Sequence, residues 1–203
     1  MKIYTDFDYV LHNYSVSYEK AIIKYLKISY ATNYRKSIFK DKHKRPLDPY
    51  IESYSLSKEL TEDLVYIANE LGGIYKTDCF DGIYDFLLFQ KRIGNEVIVI
   101  TARSTRKNVE KIIHDILGND TPVITVDTKH KYLAIEDNSI YFEDDPDAII
   151  PVLNNRKNVL VVVPKWPWNI DLSVNDNIIH LHHNEFENIS KIICEKIKKE
   201  ICL

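Results

Sequence analysis

Short runs of β-branched residues, apolar on both faces, alternate along this chain with segments of helical periodicity. The runs are KIYTDF (2–7), EVIVIT (96–101), PVITV (122–126), SIYFE (139–143), NVLVVV (158–163) and NIIHL (177–181). Strands that are apolar on both faces are typical of parallel sheets that lie between two layers of helices. The alternation therefore predicts an α/β fold in which right-handed crossovers connect parallel strands.

Several segments between or after these strands have the periodicity and the end signals of helices. They are FDGIYDFLLFQKRIG (80–94), STRKNVEKIIHDILG (104–118), DPDAIIPVLNN (145–155) and a last segment from about 184 to 199. Gly118 is a helix-ending residue, since glycine adopts the left-handed backbone of a C-cap freely. Asp145 and Pro146 are an N-cap and a first helical residue. The pattern thus predicts helices that cover the sheet.

One connection is far longer than the others. Roughly 80 residues separate the first strand from the second, which is too many for one crossover helix. Residues 14–77 have helical periodicity of their own and are predicted to form a helical cap inserted into an α/β core of residues 1–13 and 78–203. The cap carries a basic run between Arg35 and Arg45, which is either a solvated surface or a rim that attracts polyanions.

Composition excludes several classes of protein. The 203-residue chain has a net charge of −3 and a pI near 6.2, which argue against a protein that coats nucleic acid through bulk charge. Its three cysteines are odd in number and lack metal-binding spacing, so we interpret them as reduced thiols. No apolar run approaches the roughly 18 residues of a membrane span. We therefore expect a cytoplasmic protein with no membrane partner.

Polar residues stand at or just beyond the ends of four predicted strands. In chain order they are Asp6 and Asp8, Thr101, Lys129 or Lys131, and Asp144 and Asp145. Carboxyl ends of parallel strands flank one crevice, which opens where successive connections leave in opposite directions. If the first and fourth strands are neighbours there, four carboxylates face one another and repel strongly unless a cation lies among them. Oxygen ligands without cysteine or clustered histidine suit Mg²⁺.

These motifs, in this order, resemble those of the haloacid-dehalogenase-like phosphohydrolases. DFDYV matches the pattern D-x-D-x-[TV], VIVIT ends in Thr101, a lysine precedes the fourth strand, and YFEDD supplies the acidic pair. The resemblance covers residues 1–13 and 80–163. It implies a three-layer, Rossmann-like parallel sheet of strand order 5-4-1-2-3 with an inserted helical cap.

Within that family, the sequence is most similar to the 5′(3′)-deoxyribonucleotidases. Their opening D-x-D-G-V-L-x-D-F looks like DFDYVLHNY, a cap follows the first motif, and PKWPWN (164–169) follows the fifth strand. One departure is Tyr9, which stands where that group has glycine. The bulky side chain is expected near the hinge of the cap, where it would affect which substrate the protein accepts.

The resemblance assigns a role to each motif residue. Asp6 is the expected nucleophile, which forms an aspartyl-phosphate, and Asp8 is the expected acid and base for the leaving oxygen and the water. Phosphoryl oxygens are expected to bind Thr101 and a lysine. The expected Mg²⁺ ligands are the Asp6 carboxylate, the Asp8 main-chain carbonyl and the Asp144 carboxylate, with Asp145 orienting a ligand or a water from behind them.

Three assignments within the motifs have competitors. Lys129 is favoured over Lys131 because it follows the third strand closely and begins the predicted KYLAIED helix. Asp144 is favoured over Glu143 as a ligand because Glu143 falls within the alternating fourth strand, which suggests a structural role. Arg103 is expected either to reach the substrate phosphate or to be a surface residue near the start of a helix.

The resulting hypothesis is a Mg²⁺-dependent phosphomonoesterase, specifically a nucleotidase acting on nucleoside monophosphates. The same chemistry on a polynucleotide 3′-phosphate or on a phosphosugar is the first alternative. A non-catalytic binding or regulatory protein of the same fold is the second. Intact Asp6, Asp8, Thr101 and Asp144 argue against that last reading, because a binding role does not need an acid two residues after a nucleophile.

Overall fold

A six-stranded, entirely parallel sheet organises the protein. The computed structural model describes residues 1–13, 80–103, 106–172 and 176–201. In that part of the chain the strands are β1 (Lys2–Thr5), β2 (Glu96–Thr101), β3 (Val123–Thr125), β4 (Ile140–Phe142), β5 (Leu160–Pro164) and β6 (Ile178–Leu181). They lie in the order β3-β2-β1-β4-β5-β6. The predicted order 5-4-1-2-3 is confirmed, and β6 extends the sheet beyond β5.

Helices cover both faces of the sheet, as strands apolar on both sides require. The described α-helices are α1 (Asp81–Arg92), α2 (Arg106–Leu117), α3 (Pro146–Asn155) and α4 (Ile189–Ile201). Apolar residues of α1, α2 and α4 pack on one face, where Ile3 and Phe142 are buried. On the other face α3 packs against Tyr4 and Tyr141. The predicted three-layer α/β architecture is therefore correct.

Helix ends follow the local signals in most places. Gly118 has a φ of +97° directly after α2, and its N–H bonds to the carbonyl of His114 at 3.1 Å. Asp145 caps α3 by accepting a hydrogen bond from the N–H of Asp147 at 2.9 Å. The last helix departs from the prediction, because a 3₁₀ turn over His183–Asn188 precedes α4, which begins only at Ile189.

Gly82 allows that 3₁₀ turn to approach α1 closely. A Cβ atom built at Gly82 would lie 2.7 Å from the backbone carbon of Phe186, which is shorter than any tolerable contact. A larger residue at this position would therefore push α1 away from the turn.

The inserted cap predicted for residues 14–77 lies outside the described residues, and its boundaries with the core remain predictions. Among the helices that the structure describes, none has the length and apolar character that crossing a membrane requires.

Candidate active site

The site begins in the loop that follows β1, at the centre of the sheet. The backbone N–H of Asp6 bonds to the carbonyl of Phe142 at 2.9 Å, which ties the loop to the end of β4. The chain then turns back, since the N–H groups of Leu11 and His12 both bond to the carbonyl of Phe7. Neighbouring β1 and β4 therefore bring their carboxyl-terminal residues together, as the sequence predicted.

Tyr9 lies at the tip of this turn in a left-handed conformation, with a φ of +58°. That conformation favours glycine and costs other residues about 1–2 kcal/mol. The indole N–H of Trp166 donates to the carbonyl of Tyr9 at 2.9 Å, and the two rings pack edge to face. The chain thus keeps a glycine-like backbone at Tyr9 and holds it with Trp166.

A buried network of charges surrounds Asp6. The Lys131 ammonium lies 2.8 Å from Oδ1 of Asp6 and 2.8 Å from Oε2 of Glu143. The hydroxyl of Tyr141 donates to the same Glu143 oxygen. The other oxygen, Oε1, accepts the N–H groups of Asp144 and Asp145 at 3.0 and 3.1 Å. Glu143 therefore fixes Lys131 and the backbone after β4 together.

The structure places Lys131, rather than the favoured Lys129, against Asp6. Residues Thr128–Ala134 form 3₁₀ turns rather than the predicted α-helix, and Asp127 caps them by accepting the backbone N–H of Lys129 at 3.0 Å. Lys129 is exposed in the first turn, whereas Lys131 is 2% exposed and faces Asp6. Lys131 is consequently the lysine whose ammonium lies at the cavity beside Asp6.

Glu143 also departs from its expected position. Strand β4 ends at Phe142, so Glu143 follows the strand instead of alternating within it. Its carboxylate lies among those of Asp6 and Asp144, and one potential ligand atom from each of the three falls within 4.8 Å of the others. Glu143 therefore belongs to the acidic group as well as to the structural network.

Asp8 points away from this network towards β2. Nε and Nη2 of Arg103 bind its two carboxylate oxygens at 2.8 and 2.5 Å, and Nδ1 of the buried His12 lies 3.4 Å from Oδ1. Burial alone would raise the pKa of Asp8, but the Arg103 guanidinium and the hydrogen bond from His12 lower it below its usual range. The two acids of the opening motif thus have different partners.

Asp144 and Asp145 also have different surroundings. Asp144 is buried, and its Oδ2 accepts the indole N–H of Trp168 at 2.9 Å. Asn169 donates its side-chain N–H to the main-chain carbonyl of Asp144, also at 2.9 Å. Asp145 is half-buried and uses its side chain to cap α3. The structure therefore places the Asp144 carboxylate beside Asp6. Asp145 lies at the edge of the cavity instead.

Thr101 ends β2 and is almost completely buried. Its hydroxyl oxygen accepts the backbone N–H of Arg103 at 3.1 Å, which leaves the hydroxyl hydrogen available to another acceptor. The cavity between the strand ends has a volume of about 160 Å³ and is lined by Asp6, Asp8, Tyr9, Ala102, Thr128, Lys131, Asp144, Asp145 and Trp168. Thr101 and Arg103, both buried, flank the lining residue Ala102 in the chain.

The sequence did not identify three of the lining residues as parts of the site: Ala102, Thr128 and Trp168. Each lies close to the carboxyl end of a strand, which is the one signal that could have identified them. Trp168 belongs to the PKWPWN segment, whose position after β5 brings it to this cavity.

The acidic group fits a divalent cation. Burial and the neighbouring Glu143 charge raise the pKa of Asp6 to about 8, although Lys131 acts in the opposite direction. Burial, Glu143 and Asp6 raise the pKa of Asp144 well above its usual range. Such carboxyls are poorly satisfied by protein groups alone, and oxygen donors from Asp6, Glu143 and Asp144 are those that Mg²⁺ prefers. The main-chain carbonyl of Asp8 remains a further candidate ligand.

We expect Mg²⁺ to raise the melting temperature more at pH 8 than at pH 6. Because the folded pKa of Asp6 is about 8 and its ordinary value is 3.8, the metal-free folded protein holds a proton that the unfolded chain releases. Its stability therefore falls as the pH rises between these values. Mg²⁺ must displace that proton, so its stabilising effect grows over the same range. Thermal unfolding with Mg²⁺ or EDTA at several pH values measures this.

Two variants complete that experiment. Asp144→Asn is expected to lose the Mg²⁺-dependent shift and, without metal at pH 8, to be at least as stable as the wild type, because one crowded carboxylate is gone. Asp147→Asn, at an exposed position of the same segment, should retain the shift. A shift in melting temperature that does not vary with pH would contradict this metal assignment.

The fold has counterparts among proteins of known structure. The doubly wound parallel sheet is similar in fold to haloacid-dehalogenase-like proteins of known structure. One is a β-phosphoglucomutase from Clostridium difficile, with a TM-score of 0.56 and 17% identity over 100% of this chain and 99% of the other. Another is a haloacid dehalogenase-like hydrolase from Streptococcus pneumoniae, with a TM-score of 0.57 and 15% identity over 94% and 97%.

The fold is shared by proteins named for different activities. Protein Tyrosine Kinase A from Mycobacterium tuberculosis aligns with a TM-score of 0.57 and 14% identity over 88% of this chain and 92% of the other. No protein-family model and no curated protein matches the sequence. The fold by itself therefore does not identify the activity.

Proposed function

We propose that the protein is a Mg²⁺-dependent phosphomonoesterase that works through an aspartyl-phosphate on Asp6. The observation that carries this proposal is the meeting of Asp6, Lys131 and Asp144 at one cavity that Asp8 also lines. A volume of about 160 Å³ suits a phosphoryl group and a cation rather than a whole substrate. The leaving group would extend out of this cavity past Asp8 and Tyr9, which line it.

Asp6 and Asp8 carry out the bond-making and proton-transfer steps of the proposed reaction. An oxygen of the Asp6 carboxylate attacks phosphorus, and the bond from phosphorus to the leaving oxygen breaks as Asp8, which would take up a proton when the substrate binds, gives that proton to the leaving oxygen. Water then attacks the phosphoryl group and loses a proton to Asp8. The bond between Asp6 and phosphorus breaks, so phosphate is released and the Asp6 carboxylate is restored. When bound, Mg²⁺ would neutralise carboxylate charge and withdraw electron density from the phosphoryl oxygens.

Lys131 and Thr101 complete the phosphoryl site. The Lys131 ammonium, held by Asp6 and Glu143, would bind an equatorial phosphoryl oxygen, where negative charge develops. The Thr101 hydroxyl would donate its hydrogen to another. Asp6, Asp144 and the Asp8 carbonyl are the proposed metal ligands, with Glu143 close enough to join them and Asp145 behind them.

A screen of phosphomonoesters tests the reaction itself. Nucleoside 5′- and 3′-monophosphates, sugar phosphates and 3′-phosphorylated oligonucleotides would be incubated with the protein in Mg²⁺ and, separately, in EDTA. Release of phosphate in Mg²⁺ that stops in EDTA is the expected result. Full activity in EDTA would refute the metal requirement, and no hydrolysis of any substrate would favour a binding or regulatory protein.

A nucleoside monophosphate is the substrate that the aromatic lining supports best. Tyr9 and Trp168 line the cavity, Tyr9 next to Asp8 in the chain and Trp168 hydrogen-bonded to Asp144, and their ring centroids are 5.0 Å apart. Trp166 stacks on Trp168 at 5.1 Å with an interplanar angle of 6°, so the lining is backed by a second indole. Such rings can stack on a planar base, which is worth about 1–3 kcal/mol.

A phosphosugar is the second candidate, because one of the structural neighbours is a β-phosphoglucomutase. We expect kcat/KM for deoxynucleoside monophosphates to exceed that for a simple sugar phosphate by roughly ten- to a hundredfold, the range that base stacking provides. Steady-state kinetics with both substrate classes measures the ratio. Equal values would replace the nucleotidase proposal with a general phosphatase.

Trp168→Leu sharpens this comparison. Loss of the hydrogen bond from Trp168 to Asp144 should slow both substrates alike, whereas loss of the ring should penalise only a substrate with a base. The ratio of the two kcat/KM values therefore isolates stacking. Phe89→Leu, at an exposed aromatic residue of α1, is the control and should leave the ratio unchanged.

A further inference from the structure

The ion pair between Arg103 and Asp8 joins two motifs that lie 95 residues apart in the chain. The guanidinium is buried, with 4% of the Arg103 side chain exposed, whereas Asp8 is 25% exposed and lines the cavity. Along one edge of the guanidinium, Nε and Nη2 of Arg103 donate to the two carboxylate oxygens of Asp8 at 2.8 and 2.5 Å. Such bidentate contacts fix the plane of a carboxylate as well as its position.

Phe7, the residue between the two acids, supports both partners of Asp8. Its ring stacks on the imidazole of His12 at 5.1 Å and 8°, and the Arg103 guanidinium carbon lies 5.7 Å from the ring centroid. The backbone N–H of Arg103 is held in turn by the Thr101 hydroxyl. Arg103 is thus anchored at its backbone and at its side chain.

We propose that Arg103 is a positioning residue for Asp8 and does not bind the substrate phosphate directly. Its guanidinium holds the Asp8 carboxylate at the cavity in the orientation that serves the leaving oxygen. A carboxylate has about four lone-pair sites, so two bonds from Arg103 leave others for the proton that Asp8 transfers. This inference rests on the proposed phosphatase activity and assigns Arg103 a role different from phosphate binding.

Two substrates separate positioning from phosphate binding. An alkyl phosphate such as glycerol phosphate needs a proton on its leaving oxygen, whereas nitrophenolate leaves nitrophenyl phosphate without one. For Arg103→Met we expect kcat on the alkyl phosphate to fall at least about tenfold with KM unchanged, since general acid catalysis contributes about a hundredfold or more. The initial burst of nitrophenolate, which reports only the first step, should keep its rate within about threefold.

The double variant Asp8→Asn/Arg103→Met provides the second readout. If Arg103 acts through Asp8, the double variant should be no slower on the alkyl phosphate than Asp8→Asn alone, and its loss of melting temperature should be smaller than the sum of the single losses. The melting temperatures also show that each variant is folded. Arg92→Met, at an exposed position of α1, should behave as wild type in every assay.

The contrary outcomes are distinct from failure of the proposed function. A raised KM for both substrates with kcat preserved would show that Arg103 binds the phosphate and would overturn the inference. Losses of activity that multiply in the double variant would overturn it as well. A wild-type protein that hydrolyses neither substrate would overturn the proposed function first, and the catalytic role of Arg103 with it.

Discussion

Asp6→Asn should abolish phosphatase activity while leaving the protein folded. Without a carboxylate nucleophile the aspartyl-phosphate cannot form, so we expect turnover to fall by at least about a thousandfold, which corresponds to about 4 kcal/mol of activation free energy. The fold should tolerate the change because asparagine has the same shape and removes one charge from a crowded group of buried carboxylates, whose repulsion and burial raise the pKa of Asp6 to about 8.

Phosphate release under saturating substrate and Mg²⁺ measures the activity, and thermal unfolding in EDTA measures the stability. Asp115→Asn, at an exposed position of α2, is the matched control and should change neither. If Asp6→Asn kept more than about a tenth of wild-type turnover, a cost below about 1.4 kcal/mol, covalent catalysis through Asp6 would be wrong.

Lys131→Met should lower both stability and activity, whereas Lys129→Met should change neither. Burial alone would lower the pKa of Lys131, but Asp6 and Glu143 raise it above its usual range, so the ammonium is the counter-charge of both acids. Removing one partner of a buried ion pair typically costs about 3–5 kcal/mol of the free energy of unfolding. Loss of a group that binds developing charge typically costs about a hundredfold or more in kcat.

Chemical denaturation and phosphatase kinetics on the two single variants measure these effects. The double variant Lys131→Met/Glu143→Gln removes the cation together with one anion, so it should recover part of the stability but none of the activity. Equal behaviour of Lys129→Met and Lys131→Met would refute the assignment of Lys131 as the phosphoryl-binding lysine.

The sequence predicted elements well where one local signal decides the backbone. All six strands are present because short β-branched runs, several of them apolar on both faces, suit parallel strands that helices cover. The caps at Gly118 and Asp145 are present because each satisfies helix-end groups within a few residues. The start of the last helix is different, since the 3₁₀ turn before Ile189 packs against Gly82 of a distant helix.

The meeting of Asp6 with Asp144 could also be predicted, because the order of strands in a doubly wound sheet places the carboxyl ends of β1 and β4 side by side. The choice between two lysines could not be predicted in this way. Both follow β3 closely, and only the 3₁₀ geometry of Thr128–Ala134 turns Lys131 inwards and leaves Lys129 exposed.

By itself, the sequence determined the α/β class and the set of acidic residues at strand ends, because these follow from local periodicity and from the topology of parallel sheets, and its resemblance to a known family implied the central strand order. Only the tertiary structure decided which side chains meet: Lys131 with Asp6, Glu143 with Lys131, and Arg103 with Asp8. A side chain's direction at the end of a strand depends on one or two backbone torsions in a loop, and contacts with distant parts of the chain fix those torsions. Periodicity carries no information about them.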